Sequence, residues 1–213
     1  MDLAAIGSQT TVLLAQPFLG ETLRLLLARG AKHLRSCFPL GAQGSLSWYR
    51  AAADAFAVPA EHQHSVLMPL AESARLALQK HRETLAGKRI FFFPDSQLEP
   101  ALARFLYQEM SVQLTEVGTP YVHAPIMQAE IDALPQGICL SEGQDVDRQL
   151  DRCLASEVDL AVCGLGLANP LEARGISTKW SIELVFTPIQ GFEQAADLAA
   201  LFSRPLERRR WLA

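Results

Sequence analysis

Short apolar runs alternate with helical patterns in the carboxyl-terminal part of the chain. Each run has the length and apolar character of a strand buried in a parallel sheet. The segments between the runs repeat apolar residues at the spacing of amphipathic helices. The predicted strands are Arg89 to Phe93, Val112 to Val117, Ile138 to Ser141, Val158 to Cys163 and Ile182 to Phe186, and the predicted helices are Gln97 to Met110, Ala124 to Leu134, Asp145 to Ala155 and a final one from Phe192. This alternation predicts five βα repeats and a Rossmann-like parallel sheet of the α/β class.

The amino-terminal part shows the same two patterns less regularly. Predicted strands run from Thr10 to Ala15 and His33 to Phe38, and predicted helices from Gly20 to Ala28, Ser45 to Phe56 and Leu70 to Ala86. The last of these helices ends at Gly87, and the pattern restarts at Lys88. We therefore expect residues 1–87 to be a partial Rossmann-like domain with a long linking helix, and residues 88–213 to be a complete one.

The segment from Gly164 to Trp180 is predicted as a loop at the carboxyl end of a buried strand. Ligands of parallel α/β sheets bind at that edge. Gly164 and Gly166 let the chain leave the strand without side chains that would block the loop. Trp180 ends the loop, and its indole can belong to the core or can offer a flat apolar face to a planar ligand. Spacing alone does not separate these two roles.

Other motifs favour structural over chemical roles. The run from Gly164 to Asn169 departs from the dinucleotide-binding fingerprint because Asn169 and Pro170 replace the last glycine, so a tight turn is favoured. The four cysteines, Cys37, Cys139, Cys153 and Cys163, show no C-x-x-C spacing, and we interpret Cys139 and Cys163 as small strand hydrophobes. His62 and His64 are predicted in a loop, and His123 follows a strand end. Asp95, Ser96, Glu142 and Asp145 lie on the same carboxyl edge and are explained equally well as site residues or as helix caps.

Composition narrows the class of protein further. The formal net charge is −4 and 49% of residues are hydrophobic, so the chain is predicted to be globular, with no general attraction to nucleic acid or anionic lipid. The basic tail Arg208 to Arg210 is better explained as a solvated helix end. No run reaches the length of a membrane span, and Asp2 follows Met1 without a basic leader. We expect a soluble, cytoplasmic protein.

The amino-acid sequences of several loops identify a protein family more specifically than the hydrophobic periodicity does. The segments are LLAQPF (Leu13 to Phe18), FPLGAQG (Phe38 to Gly44), FFFPDSQLE (Phe91 to Glu99), EVGTPYVH (Glu116 to His123), LSEGQDVDRQLDRC (Leu140 to Cys153) and CGLGLANPLEARGISTKWSIELVFTPIQGFEQAADLAALF (Cys163 to Phe202). Together they resemble the N subunit of light-independent protochlorophyllide reductase, a nitrogenase-like family. Members of that family have about twice this length and three Rossmann-like domains, and the chain resembles their carboxyl-terminal half.

The resemblance implies a role in (bacterio)chlorophyll synthesis. An ATP-dependent L protein dimer passes electrons to a 4Fe-4S cluster held between N and B subunits, which form a heterotetramer of two N and two B. The cluster reduces the C17=C18 double bond of protochlorophyllide, which lies in an apolar cavity between N and B. The family's cluster cysteines belong to the amino-terminal half, so none is assigned to the four cysteines of this chain. No residue of this chain is expected to act as a catalytic acid or base.

The resemblance also implies that the residues important here are substrate contacts. The related nitrogenase subunits have a histidine ligand in the segment that matches IELVFTP (Ile182 to Pro188), whereas this segment has none. We expect Leu184, Val185 and Phe186 to form a wall against the pigment. Trp180 is the first predicted contact, followed by Gly166, Leu167 and Lys179.

Three alternatives remain open at this point. The chain could be an inactive interaction or assembly module that pairs with B, because the cluster-bearing half is absent. It could belong to a related nitrogenase-like reductase such as chlorophyllide reductase, which the wording KWSIELVFTPI (Lys179 to Ile189) disfavours. An unrelated nucleotide-binding dehydrogenase is disfavoured by Asn169.

Overall fold

The structure is a computed structural model that describes residues 5–143 and 145–212, with side chains up to residue 209. The strands are β1 (Thr11–Leu13), β2 (Lys32–Leu34), β3 (Arg89–Phe92), β4 (Gln113–Thr119), β5 (Cys139–Glu142), β6 (Leu160–Cys163) and β7 (Ser177–Trp180). The helices are α1 (Gly20–Ala28), α2 (Gly41–Ala55), α3 (Ala60–Leu85), α4 (Glu99–Met110), α5 (Ala124–Asp132), α6 (Val146–Ala155), α7 (Leu165–Glu172) and α8 (Ala195–Leu212). Two single 3-10 turns, Pro17–Leu19 and Ser181–Val185, complete the set.

The five carboxyl-terminal strands form one parallel sheet in the order β5-β4-β3-β6-β7. The central strands are apolar on both faces because helices cover both, and Ile90, Phe91 and Phe92 are fully buried. Ile90 pairs with Leu160, and Cys163 at the end of β6 pairs with Trp180 at the end of β7. The predicted Rossmann-like parallel sheet is confirmed. Four of its five strands lie where the apolar runs predicted them.

The amino-terminal part forms a smaller parallel pair. β1 pairs with β2, with Val12 opposite His33, and α1 connects them. α1 spans the predicted residues Gly20 to Ala28. Both strands are shorter than predicted, since Leu14 and Cys37 lie outside them.

One buried cluster continues across Gly87. It includes Leu78 of α3, Phe105 of α4 and Phe202 of α8, and His81 of α3 shares a 2.9 Å hydrogen bond with the Ser203 hydroxyl of α8. The division into residues 1–87 and 88–213 stays a prediction, although these contacts pack the two parts against one another. Within the described ranges, no helix combines the length and apolar character needed to cross a bilayer.

The prediction for the fifth strand is wrong. β7 is Ser177–Trp180, whereas Ile182 to Phe186 is mostly a 3-10 turn. The polar strand was not recognisable from hydropathy because its polar side chains are buried with partners: Thr178 donates to Glu172, and Lys179 pairs with Glu183. The expected loop from Gly164 to Trp180 is also wrong, since α7 and β7 occupy most of it.

Two helices begin earlier than predicted. α2 starts at Gly41 because the Glu109 carboxylate of α4 accepts hydrogen bonds from the backbone N–H groups of Ala42 and Gln43, at 2.8 and 3.1 Å. A capping group so distant in the chain leaves no local signal. α3 starts at Ala60 and continues through Pro69. The prediction of a loop around His62 and His64 is therefore wrong, because both lie in the first turns of α3.

Candidate functional site

The centre of the sheet's carboxyl edge is where the strand order reverses. The chain leaves β3 and β6 to opposite sides of the sheet there, which opens the crevice in which α/β proteins bind ligands. The turns that follow the two strands nearly touch, since a Cβ atom added to Gly164 would lie 3.0 Å from Asp95 Oδ1. A side chain at position 164 would therefore narrow the crevice.

The turn after β3 is built around a buried carboxylate. Glu99 Oε1 accepts hydrogen bonds from the backbone N–H groups of Asp95 and Ser96, at 2.9 and 2.5 Å. Gln97 within this turn has a φ of 65°, a left-handed conformation that is uncommon for a residue with a side chain. Burial raises the pKa of Glu99, an effect that these N–H donors oppose. The carboxylate holds the turn in place beneath the crevice.

The predicted caps have different roles in the structure. Glu142 accepts a hydrogen bond from the Val122 N–H at 2.9 Å, ahead of α5, and does not cap α6. Asp145 caps α6, because its carboxylate accepts from the backbone N–H groups of Asp147 and Arg148. At α4 the roles differ from the prediction. Ser96 accepts a hydrogen bond from the Leu98 N–H at 3.3 Å, while the Glu99 carboxylate binds the preceding turn.

An apolar cleft of about 620 Å³ lies beside this turn. We call it the apolar cleft; its lining includes Phe18, Leu98, Leu184, Val185, Pro188 and Ile189, with Ser96, Ser181 and three glutamines as polar groups. The volume is that of a typical small-molecule site, and a few polar groups among apolar walls are the usual composition of one. Ser181 Oγ is buried and has no hydrogen-bond partner among the described residues.

The 3-10 turn Ser181–Val185 forms one side of the apolar cleft and divides the predicted wall. Leu184 is buried in the core, whereas the side chains of Val185 and Phe186 are 73% and 80% exposed. Leu184 and Val185 both line the apolar cleft, whereas Phe186 follows the turn and does not belong to its lining. Exposed Val185 and Phe186 form an apolar tip that projects from the carboxyl edge.

Trp180 lies at the sheet edge, as predicted, but lines a second cleft. This edge cleft of about 520 Å³ lies between β7 and α8 and is lined by Glu172, Gly175, Ile176, Ser177, Thr178, Trp180, Glu183, Leu201, Arg204, Pro205, Arg208 and Arg209. The Trp180 residue is 37% exposed, and its indole N–H donates to Thr178 Oγ1 at 3.2 Å. The indole is thus held at the surface by a hydrogen bond.

The other predicted contact residues lie in different environments. The Lys179 side chain is buried and pairs with Glu183; burial lowers its pKa, an effect that Glu183 opposes. Gly166 lies in α7 with open space where a Cβ would be. Leu167 is half-buried and packs against a buried cluster that includes Phe91. The structure therefore does not bring these residues and Trp180 into one lining.

Sequence reasoning missed Phe18 and Ser181 as cleft residues. Phe18 lies in the 3-10 turn after β1, and the chain between it and Ser181 includes most of the sheet. Only the fold brings them together, so no local signal marked either one. His123, which precedes α5, packs over Gly20 and has a buried Nδ1 without a hydrogen-bond partner among the described residues.

The cysteines do not fit an iron–sulfur cluster. Cluster ligands are thiolates, but burial raises the pKa of Cys37 to about 11 and those of Cys153 and Cys163 to about 12. Cys37 Sγ instead donates to the Ala129 carbonyl at 3.4 Å. Among the residues that the structure describes, no three His, Cys, Asp or Glu side chains are grouped to hold a metal ion. No step through a cluster is therefore assigned to these side chains.

Comparison with curated proteins finds relatives with one shared name. The chain is 60% identical over 212 residues to the light-independent protochlorophyllide reductase subunit N of Bradyrhizobium sp. (strain ORS 278), covering 100% of this chain and 50% of the relative. It is 62% identical over 208 residues to the same subunit of Synechococcus sp. (strain CC9605), covering 98% and 49%. The chain thus spans about half the length of these relatives.

Solved structures and a family model agree on the fold. The structure described as Nitrogenase Cp1 at pH 5 superposes with a TM-score of 0.69 at 14% identity, covering 84% of this chain and 42% of that one. At this identity the likeness concerns the fold alone. The model of the nitrogenase component 1 type oxidoreductases matches residues 1–207. Because that match covers nearly the whole chain, the chain belongs to the nitrogenase component 1 type oxidoreductase family.

Proposed function

We propose that the chain is the carboxyl-terminal half of an N-type subunit of light-independent protochlorophyllide reductase. The relatives at about 60% identity carry that name. In this role the chain pairs with a B subunit in a cytoplasmic heterotetramer of two N and two B, to which an ATP-consuming L protein delivers electrons. The complex reduces the C17=C18 double bond of protochlorophyllide, and its 4Fe-4S cluster is held outside this chain. Residues 1–87 and 88–213 then correspond to part of the second and all of the third Rossmann-like domain.

The observation that carries this proposal is the apolar cleft with its projecting tip. A cleft of about 620 Å³ walled by Phe18, Leu98 and Leu184 suits a flat hydrophobic ligand. Val185 and Phe186 project from its edge into solvent, which is unfavourable unless a ligand or partner covers them. Both features are expected where a pigment is enclosed between two polypeptides.

In this proposal the chain binds and orients the pigment but does not transfer protons to it. The apolar walls of the cleft exclude water from the bound pigment. Trp180, Gly166, Leu167 and Lys179 remain the proposed contact set. Of these, Trp180 is the group placed to meet a ligand, while Lys179 supports the turn of the tip through Glu183.

A chimeric subunit tests the proposal. The amino-terminal half of the Bradyrhizobium subunit N is joined to this chain and expressed with the B subunit of that organism. Chlorophyllide formation is then measured in the dark with protochlorophyllide, L protein, ATP and a reductant. We expect dark reduction that depends on all three components, since the chain supplies one half of the pigment cavity.

The parent Bradyrhizobium subunit, expressed and assayed in the same way, is the matched control. A chimera that copurifies with B and shows the absorption of an iron–sulfur cluster, yet forms no chlorophyllide, would contradict the proposal. That outcome would support the alternative of an interaction module without catalytic competence. Failure to reduce protochlorophyllide together with reduction of chlorophyllide would instead identify a related reductase.

A further inference from the structure

The edge cleft has a set of positive charges that the proposed function does not use. Arg204 and Arg208 lie one turn apart on α8, and both line the cleft with Arg209. No described carboxylate lies within ion-pair distance of either Arg204 or Arg208, and neither makes a hydrogen bond to a described residue. Like charges at this spacing destabilise a helix unless a counter-charge is present.

The carboxylates of the edge cleft already have other partners. Glu172 accepts a hydrogen bond from the Thr178 hydroxyl, and Glu183 pairs with buried Lys179. Lys179 lies behind the cleft, close enough for the charges of Arg204 and Arg208 to affect it. Burial lowers the pKa of Lys179, and Arg204 and Arg208 act in the same direction by repulsion. The cleft therefore combines clustered cations with carboxylates that are already neutralised or bonded.

A helix-end role accounts for only part of this cluster. Cations in the last turn of a helix interact favourably with its dipole. Arg208 and Arg209 lie close to the end of α8 at Leu212, but Arg204 lies about two turns before it. Arg204 is therefore too far from the helix end for this effect, which falls off within the last turn.

The opposite wall of the edge cleft is preorganised. The Trp180 indole N–H donates to Thr178 Oγ1, whose hydroxyl in turn donates to Glu172. This chain of bonds holds the ring at the cleft surface. Ser177 also lines the cleft, and its buried hydroxyl has no hydrogen-bond partner among the described residues. An aromatic face and two unpaired guanidinium groups thus line one space of about 520 Å³.

We propose that the edge cleft binds a small planar aromatic molecule that carries an anionic arm. The ring lies against Trp180, and a carboxylate or phosphate is held between Arg204 and Arg208, as guanidinium groups hold such anions. This site is a different space from the apolar cleft. It shares Trp180 with the proposed contact set, but its binding of an anion does not require reductase activity.

The test uses the full chain and a fluorescent planar anion. Pyrene-1-carboxylate is titrated into the protein, and energy transfer from tryptophan to pyrene reports binding. Pyrene-1-methanol is the matched neutral probe. We expect the carboxylate to bind at least tenfold more tightly than the alcohol, with an affinity that falls as salt is raised. Arg204→Gln and Arg208→Gln should each weaken carboxylate binding about tenfold.

Controls separate the edge cleft from other binding. Arg148→Gln removes the same charge from an exposed position on α6, at the opposite side of the sheet, and should leave the affinity unchanged. Trp180→Phe should reduce the energy transfer, since Trp48 and Trp211 remain as donors, while calorimetry still detects binding. Circular dichroism verifies that every variant is folded.

Competition then identifies the source of the anion. Displacement of the probe by protochlorophyllide indicates a tetrapyrrole carboxylate, and displacement by adenosine monophosphate indicates a nucleotide phosphate. The proposal is overturned if neither displaces the probe, if the neutral probe binds equally well, or if the two arginine variants bind as the unmodified chain does. None of these outcomes depends on reductase activity, so the site and the proposed function fail independently.

Discussion

The guanidinium of Arg104 donates from Nε to Glu130 Oε2 over 2.5 Å, and both side chains are at most 1% exposed. Glu130 Oε1 also accepts from the Phe38 N–H at 2.5 Å, and Arg104 Nη2 donates to the carbonyls of Phe38 and Leu40 at 3.2 and 3.3 Å. The pair thus ties α4 and α5 to the segment that precedes α2. The pair forms hydrogen bonds with backbone groups of Phe38 and Leu40, which belong to the part of the chain before the predicted domain boundary at Gly87.

Removing either member of this pair should be strongly destabilising. Arg104→Ala or Glu130→Ala leaves an unpaired buried charge, which costs about 3–5 kcal/mol of the free energy of unfolding. Urea unfolding followed by circular dichroism measures the loss. Arg24→Ala, which breaks the exposed pair with Glu21, is the control and should cost less than about 1 kcal/mol. A loss at Arg104 as small as at Arg24 would show that the buried pair is not the connection described here.

Gly41 and Gly87 give a matched pair of backbone tests. Their φ values are 76° and 73°, so alanine is equally strained at both. A Cβ at Gly41 would lie 2.3 Å from Glu109 Oε1 and from Phe105 Cδ2, whereas nothing lies within 4 Å at Gly87. We expect Gly87→Ala to cost about 1–2 kcal/mol of unfolding free energy. Gly41→Ala should cost clearly more in the same urea measurement, because the cap of α2 must also move; equal losses would contradict this reason.

The sequence predicted correctly those helices and strands whose buried residues are the apolar ones. Apolar β3 and β6 were recognised because helices cover both their faces, and α1 because its apolar residues repeat at helical spacing. β7 was missed because Thr178 and Lys179 are polar and therefore break the apolar pattern. They are buried because they pair with Glu172 and Glu183. The first turns of α2 were missed for a similar reason, since the Glu109 cap comes from another helix.

The candidate site was predictable to a smaller extent. The carboxyl edge as the side to examine for ligands follows from the βα alternation, whereas the sequence left open whether Trp180 is buried or exposed. The apolar cleft could not be predicted in this way, because Phe18 and Ser181 are far apart in the sequence and only the fold brings them to one lining. The positions of Arg204 and Arg208 in the edge cleft could not be predicted either, because nothing in their local spacing indicates that α8 packs beside Trp180.

Glu99 should make folding less favourable as pH rises. Burial raises its pKa against the effect of the Ser96 and Asp95 N–H donors, so the folded state retains this proton more tightly than the unfolded state. The resulting stabilisation is present below the ordinary pKa of 4.5 and is lost as pH rises through the higher folded value. Glutamine does not titrate. The difference in unfolding free energy between Glu99→Gln and the unmodified chain should therefore shift in favour of the variant as pH rises from 4.5 through the folded pKa of Glu99. Urea unfolding at a series of pH values measures this difference.

Glu116 provides the opposite sign in the same experiment. Burial raises its pKa, but hydrogen bonds from Arg152, Ser141 and Gln149 outweigh that effect, so the pKa lies below 4.5. Its stabilisation is present above the ordinary value and is lost as pH falls through the lower folded value. Glu116→Gln should thus be destabilising at neutral pH and progressively less so in acid. Parallel pH profiles for the two variants would contradict both assignments.

Phe186 tests whether the apolar tip is a contact surface. Its side chain is 80% exposed, so Phe186→Asp should change the free energy of unfolding by no more than about 0.5 kcal/mol. In the chimeric reductase the same change places a charge where the proposal puts a pigment or the B subunit, and burying an unpaired charge is costly. We therefore expect at least a tenfold loss of dark protochlorophyllide reduction. Phe56→Asp, at an equally exposed phenylalanine after α2, is the control and should retain activity; equal activity in both variants would remove the tip from the contact surface.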